Sequence, residues 1–145
     1  MLAVTKIFHF EMAHAIYGYS GDCKNIHGHS YKLHVTVAGK HAIDSFLSST
    51  GFIIDFKLLK QLVNENIVSR LDHKLVLSKA FITAHPLTEK LENLLILDME
   101  PSAENLIIYI QTLISSKLPE HIQLLELTLY ETADSYVRWS PDDGK

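Results

Sequence analysis

The sequence predicts an α+β fold in which two helices cover one face of a four-stranded antiparallel sheet. Three observations carry this expectation. Residues 4–14 and 29–38 alternate apolar with polar side chains and are rich in aromatic and β-branched types, and residues 122–131 resume the alternation. Two helical stretches, 56–70 and one from Ser102 to about Leu118, start at residues suited to cap a helix, Asp55 and Ser102. The resulting order is strand, strand, helix, a variable middle, helix, strand, strand, with no internal repeat or linker. At 145 residues the chain suffices for one core, so residues 1–145 are expected to form one domain.

In the first strand His14 stands in register with Phe8, Phe10 and Met12 on the more apolar face. Residues 15–26 are longer than a tight hairpin needs and carry Gly18, Gly21, Asp22, Cys23 and Asn25, and long loops in compact domains are usually functional. The polar stretch from Gly39 to Gly51 ends the second strand. Phe52-Ile53-Ile54 then runs extended into the first helix, where Leu58, Leu59, Leu62, Ile67 and Leu71 recur near helical spacing. The middle, 78–98, offers a short helix at 86–93 and an apolar run, Leu94–Leu97, that fits a short strand or an extended connection. In the second helix Glu104 occupies the first turn, where the helix dipole favours an anion, and Pro119 stops it. Leu125, Leu127, Leu129 and Glu131 share one face of the third strand, residues 134–139 form a fourth, and the tail is expected to fray. Four strands leave two open edges, which pairing between subunits into a barrel would remove.

Composition excludes several classes. Hydrophobic residues make up 47% of the chain and charged residues 21%, which suits a compact domain rather than a disordered one. A net charge of -4 without a Lys/Arg cluster gives no basic surface for nucleic acid. No apolar run approaches the roughly 20 residues that span a bilayer, and the first residues do not read as a signal peptide, so a cytoplasmic protein is expected. Cys23 has no partner for an internal disulfide, and its polar neighbours leave it as a reactive thiol or a metal ligand.

The chemistry gathers around Cys23-Lys24-Asn25-Ile26-His27-Gly28-His29. In an extended segment His27 and His29 project to one side, and His14 supplies a third imidazole from a neighbouring strand. Three neutral nitrogens with an open fourth position suit a catalytic zinc, whereas structural zinc is closed by four protein ligands. Leu71-Asp72-His73 joins a carboxylate to an imidazole, the parts of a proton-transfer unit, although such a dipeptide is also a common solvated turn. Glu131 ends an apolar stripe. An inward carboxylate needs a partner, and a ligand presenting several N–H donors would supply one.

With these residues in hand, the chain resembles the 6-pyruvoyltetrahydropterin synthase and 6-carboxytetrahydropterin synthase family of tunnelling-fold (T-fold) enzymes. The matching motifs are Phe10-Glu11-Met12-Ala13-His14, Cys23 with His27-Gly28-His29-Ser30-Tyr31, Gly51 to Phe56, Leu71-Asp72-His73, Pro101-Ser102-Ala103-Glu104-Asn105 and Tyr130-Glu131-Thr132, in the family's order. The resemblance implies that His14, His27 and His29 bind Zn2+, that Cys23, Asp72 and His73 are catalytic, and that Glu131 anchors the pterin, with Ser102 and Glu104 in a motif near the pterin pocket. It implies a small-molecule substrate, 7,8-dihydroneopterin triphosphate, and a homohexamer of two stacked trimers whose strands close into barrels, with sites at subunit interfaces. The family divides by product. One branch eliminates triphosphate to give the pyruvoyl pterin. The bacterial branch also loses acetaldehyde to give 6-carboxy-5,6,7,8-tetrahydropterin for 7-deazaguanine and queuosine synthesis. A third branch carries Glu in place of the cysteine, and Cys23 argues against it. The short Cys-to-His spacing favours the carboxy product, with the pyruvoyl product and a non-catalytic zinc or pterin-binding module as alternatives.

Overall fold

The computed structural model describes residues 1–41, 43 and 45–141; the tail beyond residue 141 lies outside them. In chain order the elements are β1 (Ala3–His14), β2 (His27–Gly39), α1 (Phe56–Val63), α2 (Ser69–Leu71), β3 (Lys74–Ser78), α3 (Lys79–Ala84), β4 (Leu94–Leu97), α4 (Ala103–Ser115), β5 (Ile122–Tyr130) and β6 (Tyr136–Trp139). Short 3-10 segments occur at Asp22–Lys24 and Pro86–Lys90, and a π-helical stretch at Asn64–Val68 joins α1 to α2.

Alternation in the sequence becomes a two-faced sheet. β1 and β2 pair antiparallel from Ala3↔Ala38 to His14↔His27. Phe8, Phe10, Met12 and His14 are thereby buried on the same face as Tyr31, Leu33, Val35 and Val37. The opposite face carries polar pairs, such as the Ser30 hydroxyl donating to the Glu11 carboxylate at 2.7 Å. β5 pairs antiparallel with β2, and β6 with β5.

Among the described residues the sheet has six strands rather than four, in the order β4-β3-β1-β2-β5-β6. β3 adds to β1 and β4 adds to β3, both in parallel. Neither alternates in sequence, as is usual for short parallel strands, so the antiparallel four-stranded expectation covers β1, β2, β5 and β6 only. Within β5 a bulge changes the expected stripe: Thr36 pairs with Glu126 but Val37 with Leu124, which leaves Leu125 over. Leu127 and Leu129 stay buried, while upstream the inward positions pass to Leu124 and Ile122.

Both long helices lie on the apolar face. The Asp55 carboxylate accepts the Lys57 N–H at 2.8 Å, and the Ser102 hydroxyl accepts the Asn105 N–H at 3.2 Å, so each cap satisfies an otherwise orphaned donor. Leu59, Val63, Ile67 and Leu71 pack into one core with Leu106, Ile107, Ile110 and Ile114. A strict four-residue spacing drifts around a 3.6-residue helix, and the wider turns of the π stretch take up that drift so that Ile67 and Leu71 still face the sheet. In the middle segment the helix is α3, capped by Ser78 accepting from Phe81 at 3.0 Å, and the expected 86–93 helix is the shorter 3-10 segment.

Candidate active site

The register of β1 against β2 places His14 directly opposite His27, with His29 next along the same face. The ligand-capable nitrogens of these three imidazoles all lie within 4.8 Å of one another. Two of the rings are oriented by backbone carbonyls. His14 Nδ1 lies 2.7 Å from the Pro101 oxygen and His27 Nδ1 lies 2.7 Å from the Asn25 oxygen. A carbonyl only accepts, so both Nδ1 atoms carry the proton and both Nε2 atoms of the neutral rings present lone pairs. Those two Nε2 atoms face each other at 3.1 Å. His29 Nε2 is buried and has no hydrogen-bond partner among the described residues.

Facing lone pairs and an orphaned nitrogen are unfavourable unless a cation lies between them. Burial holds the His14 imidazole below its ordinary range despite the Pro101 bond and the Glu131 charge, which favours the neutral, ligating form of that ring. The donor set therefore fits a divalent ion that favours imidazole nitrogen. Cys23 is not in this group of three; it is a free, exposed thiol in the 3-10 turn Asp22–Lys24.

A cavity of about 460 Å³ opens beside His14, and Cys23, Ser102, Glu104 and Glu131 also line it. The Glu131 carboxylate approaches His29 Nε2 at 3.7 Å and His14 Nε2 at 3.9 Å, so it borders the nitrogens without closing on them. The Ser102 hydroxyl is engaged in capping α4, and Glu104 is exposed in the first turn of that helix.

Asp72 and His73 are clamped to β1 instead. Asp72 Oδ1 accepts the Glu11 N–H at 2.9 Å, the His73 N–H donates to the Glu11 carbonyl at 2.6 Å, and His73 Nδ1 lies 3.0 Å from Asp72 Oδ2. This closure holds His73 in the left-handed region at φ 59°. The Glu11 N–H, with smaller help from His73, holds the Asp72 carboxyl below its usual range. Its stabilising contribution is therefore present above the ordinary carboxylate range and lost as pH falls through the lowered value. His73 lines a second cavity, of about 520 Å³, together with His29, Glu11, Ser30 and Asn93. Within one chain, then, the thiol and His73 open on different cavities. The carbonyls of Pro101 and Asn25 are the site components that sequence reasoning misses, since any residue supplies a carbonyl and only the fold aims it.

The profile of the 6-pyruvoyl tetrahydropterin synthase family matches residues 3–142. The chain belongs to that family. Among curated relatives, the 6-carboxy-5,6,7,8-tetrahydropterin synthase of Rickettsia typhi is 29% identical over 144 residues, covering 94% of this chain and 99% of the relative. The enzyme of the same name from Haemophilus influenzae is 38% identical over 78 residues, about half of each chain. The family fold extends to solved structures: the Caenorhabditis elegans 6-pyruvoyl tetrahydropterin synthase superposes with a TM-score of 0.68 at 18% identity, covering 96% of this chain and 94% of that one. A Wolinella succinogenes protein of unassigned function superposes at 0.72, also at 18% identity, over 97% and 98%. Among the described residues of this family member, no helix is long and apolar enough to cross a membrane.

Proposed function

We propose that this protein is a zinc-dependent enzyme that converts 7,8-dihydroneopterin triphosphate to 6-carboxy-5,6,7,8-tetrahydropterin, releasing acetaldehyde and triphosphate, in 7-deazaguanine and queuosine synthesis in the cytoplasm. The observation that carries this reading is the convergence of three imidazoles, with no thiolate among them, beside a cavity that His14, Cys23 and Glu131 line together. The names of the full-length relatives support the carboxy product. The family profile and the nematode neighbour bear the pyruvoyl name, and elimination of triphosphate alone is the second reading.

His14, His27 and His29 would hold zinc, which when bound supplies a Lewis acid for the oxygens of the pterin side chain. Cys23 would take a proton from the side-chain carbon as thiolate, the reactive form of cysteine. Glu131 would accept N–H groups of the flat heterocycle, with Ser102 and Glu104 flanking it at the start of α4. Asp72 orients His73 through the 3.0 Å contact, and His73 would carry protons on the opposite side of the substrate. Because His73 opens on the second cavity, the proposal includes assembly: chains join at the open sheet edges, β4 and β6, into barrels of a hexamer, so that one subunit's Cys23 and another's His73 share a substrate. Light scattering is expected to give six times the 16.4 kDa chain, and an active monomer would refute the shared site.

Incubating the zinc-loaded protein with 7,8-dihydroneopterin triphosphate and analysing products by mass spectrometry is expected to yield 6-carboxy-5,6,7,8-tetrahydropterin and acetaldehyde. A pyruvoyl product would select the second reading, and unchanged substrate would leave a non-catalytic module. Glu131→Gln places a donor where an acceptor is needed. Its pterin affinity is expected to fall by about 1.5–3 kcal/mol with zinc content unchanged; titration at wild-type affinity would remove Glu131 from the anchor role.

A further inference from the structure

Glu100 is half-buried on the connection from β4 to α4, and four contacts converge on it and its neighbour. Its Oε1 accepts the Ser78 hydroxyl at 2.7 Å and the Tyr17 N–H at 3.1 Å, with Oε2 at 3.4 Å from the same amide. Its backbone carbonyl accepts the Asn105 side-chain N–H at 2.9 Å. The adjacent carbonyl, that of Pro101, receives the His14 Nδ1–H at 2.7 Å. Ser78 closes β3, Asn105 lies in the first turn of α4, and Tyr17 begins the loop that runs to Cys23. That loop is itself pinned close by, through the Ile16 N–H donating to the Cys23 carbonyl at 2.8 Å.

A carboxylate that receives a hydroxyl and an amide makes charge-assisted bonds, stronger than their neutral equivalents. Here those bonds tether the residue immediately before the carbonyl that holds the His14 ring in place. Without them the Pro101 carbonyl and the His14 ring lose their fixed direction, and residues 15–24 lose the contact that ties them to β3 and α4.

We propose that Glu100 is a positioning residue that fixes two parts of the site together: the carbonyl that aims His14, and the loop that presents Cys23. The first part rests on the metal-centre reading above; the second stands on the loop geometry alone. The test compares the wild type with Glu100→Ala, Glu100→Asp and Glu100→Gln at a temperature where circular dichroism finds each folded. Two quantities are read: zinc affinity by chelator competition, and the alkylation rate of Cys23 in the metal-free protein.

In Glu100→Ala zinc affinity is expected to fall about tenfold, the low end of the range for removing a direct partner of a metal-binding histidine, because the Pro101 carbonyl itself is retained. Cys23 alkylation should change several-fold, because the loop is no longer anchored. Gln keeps an Oε1 that accepts both the hydroxyl and the amide, so Glu100→Gln is expected to restore both quantities to within about threefold of wild type, as an isosteric acceptor should. A purely structural carboxylate would alter melting temperature without moving either quantity in the folded variants. Asp keeps the charge but falls one methylene short, and it decides the matter alone if Glu100→Ala does not fold. Wild-type zinc affinity and alkylation in the folded Ala or Asp variants would overturn the inference. A wild type that bound no zinc would instead remove the metal reading, and the His14 half of this proposal with it.

Discussion

His27→Ala is expected to lose its zinc and its turnover together. His27 stands opposite His14 with its Nε2 3.1 Å from the other ring nitrogen, and its own Nδ1 is committed to the Asn25 carbonyl. Glu131 comes within 3.7 Å of His29 Nε2 and 3.9 Å of His14 Nε2 but lies outside the three-histidine group, so it borders the gap without restoring the third imidazole. Lewis-acid stabilisation contributes several kcal/mol at the transition state, so activity should drop on the order of 10³-fold or more. Stability should respond in an asymmetric way. At zinc a hundredfold above its dissociation constant the wild type gains about 2.7 kcal/mol of stability from binding, and a chelator removes that gain. The variant has no such gain to lose, and its metal-free form is relieved of one facing lone pair. Chelator should therefore lower the melting temperature of the wild type and leave that of His27→Ala in place. Full zinc occupancy in His27→Ala by elemental analysis would contradict the assignment.

Cys23→Ala is expected to do the opposite, keeping zinc and fold while losing turnover. The thiol is exposed, lies in a 3-10 turn without a buried residue, and stands apart from the three-histidine group. Removing it therefore leaves neither a cavity nor an unpaired polar group, and the stability change should stay within about 0.5 kcal/mol, as for other exposed positions. Loss of a positioned proton acceptor lowers rate by roughly 10²- to 10⁴-fold. Alkylation of the wild type should inactivate it, and substrate should protect. Normal turnover by Cys23→Ala would remove the base from the mechanism. Joint loss of zinc and stability would instead make the thiol a ligand.

Much of this arrangement is legible in the sequence because β1 and β2 obey a period of two. Once Phe8, Phe10 and Met12 are assigned inward, His14 is inward too, and His27 and His29 follow from the partner strand. The helices declare themselves through Asp55 and Ser102, whose side chains do cap them. What the pattern hides is whatever depends on parallel pairing or on backbone atoms. Lys74–Ser78 and Leu94–Leu97 are too short and too evenly apolar to reveal their partners, so two strands of the sheet go uncounted. Leu125 fits the inward stripe by alternation alone, and only the bulge opposite Thr36 and Val37 displaces it. Asp72-His73 taken alone reads more readily as a solvated turn. Its hold on the Glu11 backbone and the left-handed geometry of His73 appear only once β3 is seen to run beside β1.

On the proposed function, three imidazoles hold a zinc ion whose fourth position is open to substrate. X-ray absorption at the zinc edge of the purified protein reads this directly. The expected shell is three nitrogens at about 2.0–2.1 Å with an exchangeable oxygen, and no sulfur. The spectrum should be unchanged in Cys23→Ala. A sulfur scatterer at about 2.3 Å that disappears in Cys23→Ala would show a site closed by the thiolate, and would contradict both the open position and the catalytic role of Cys23.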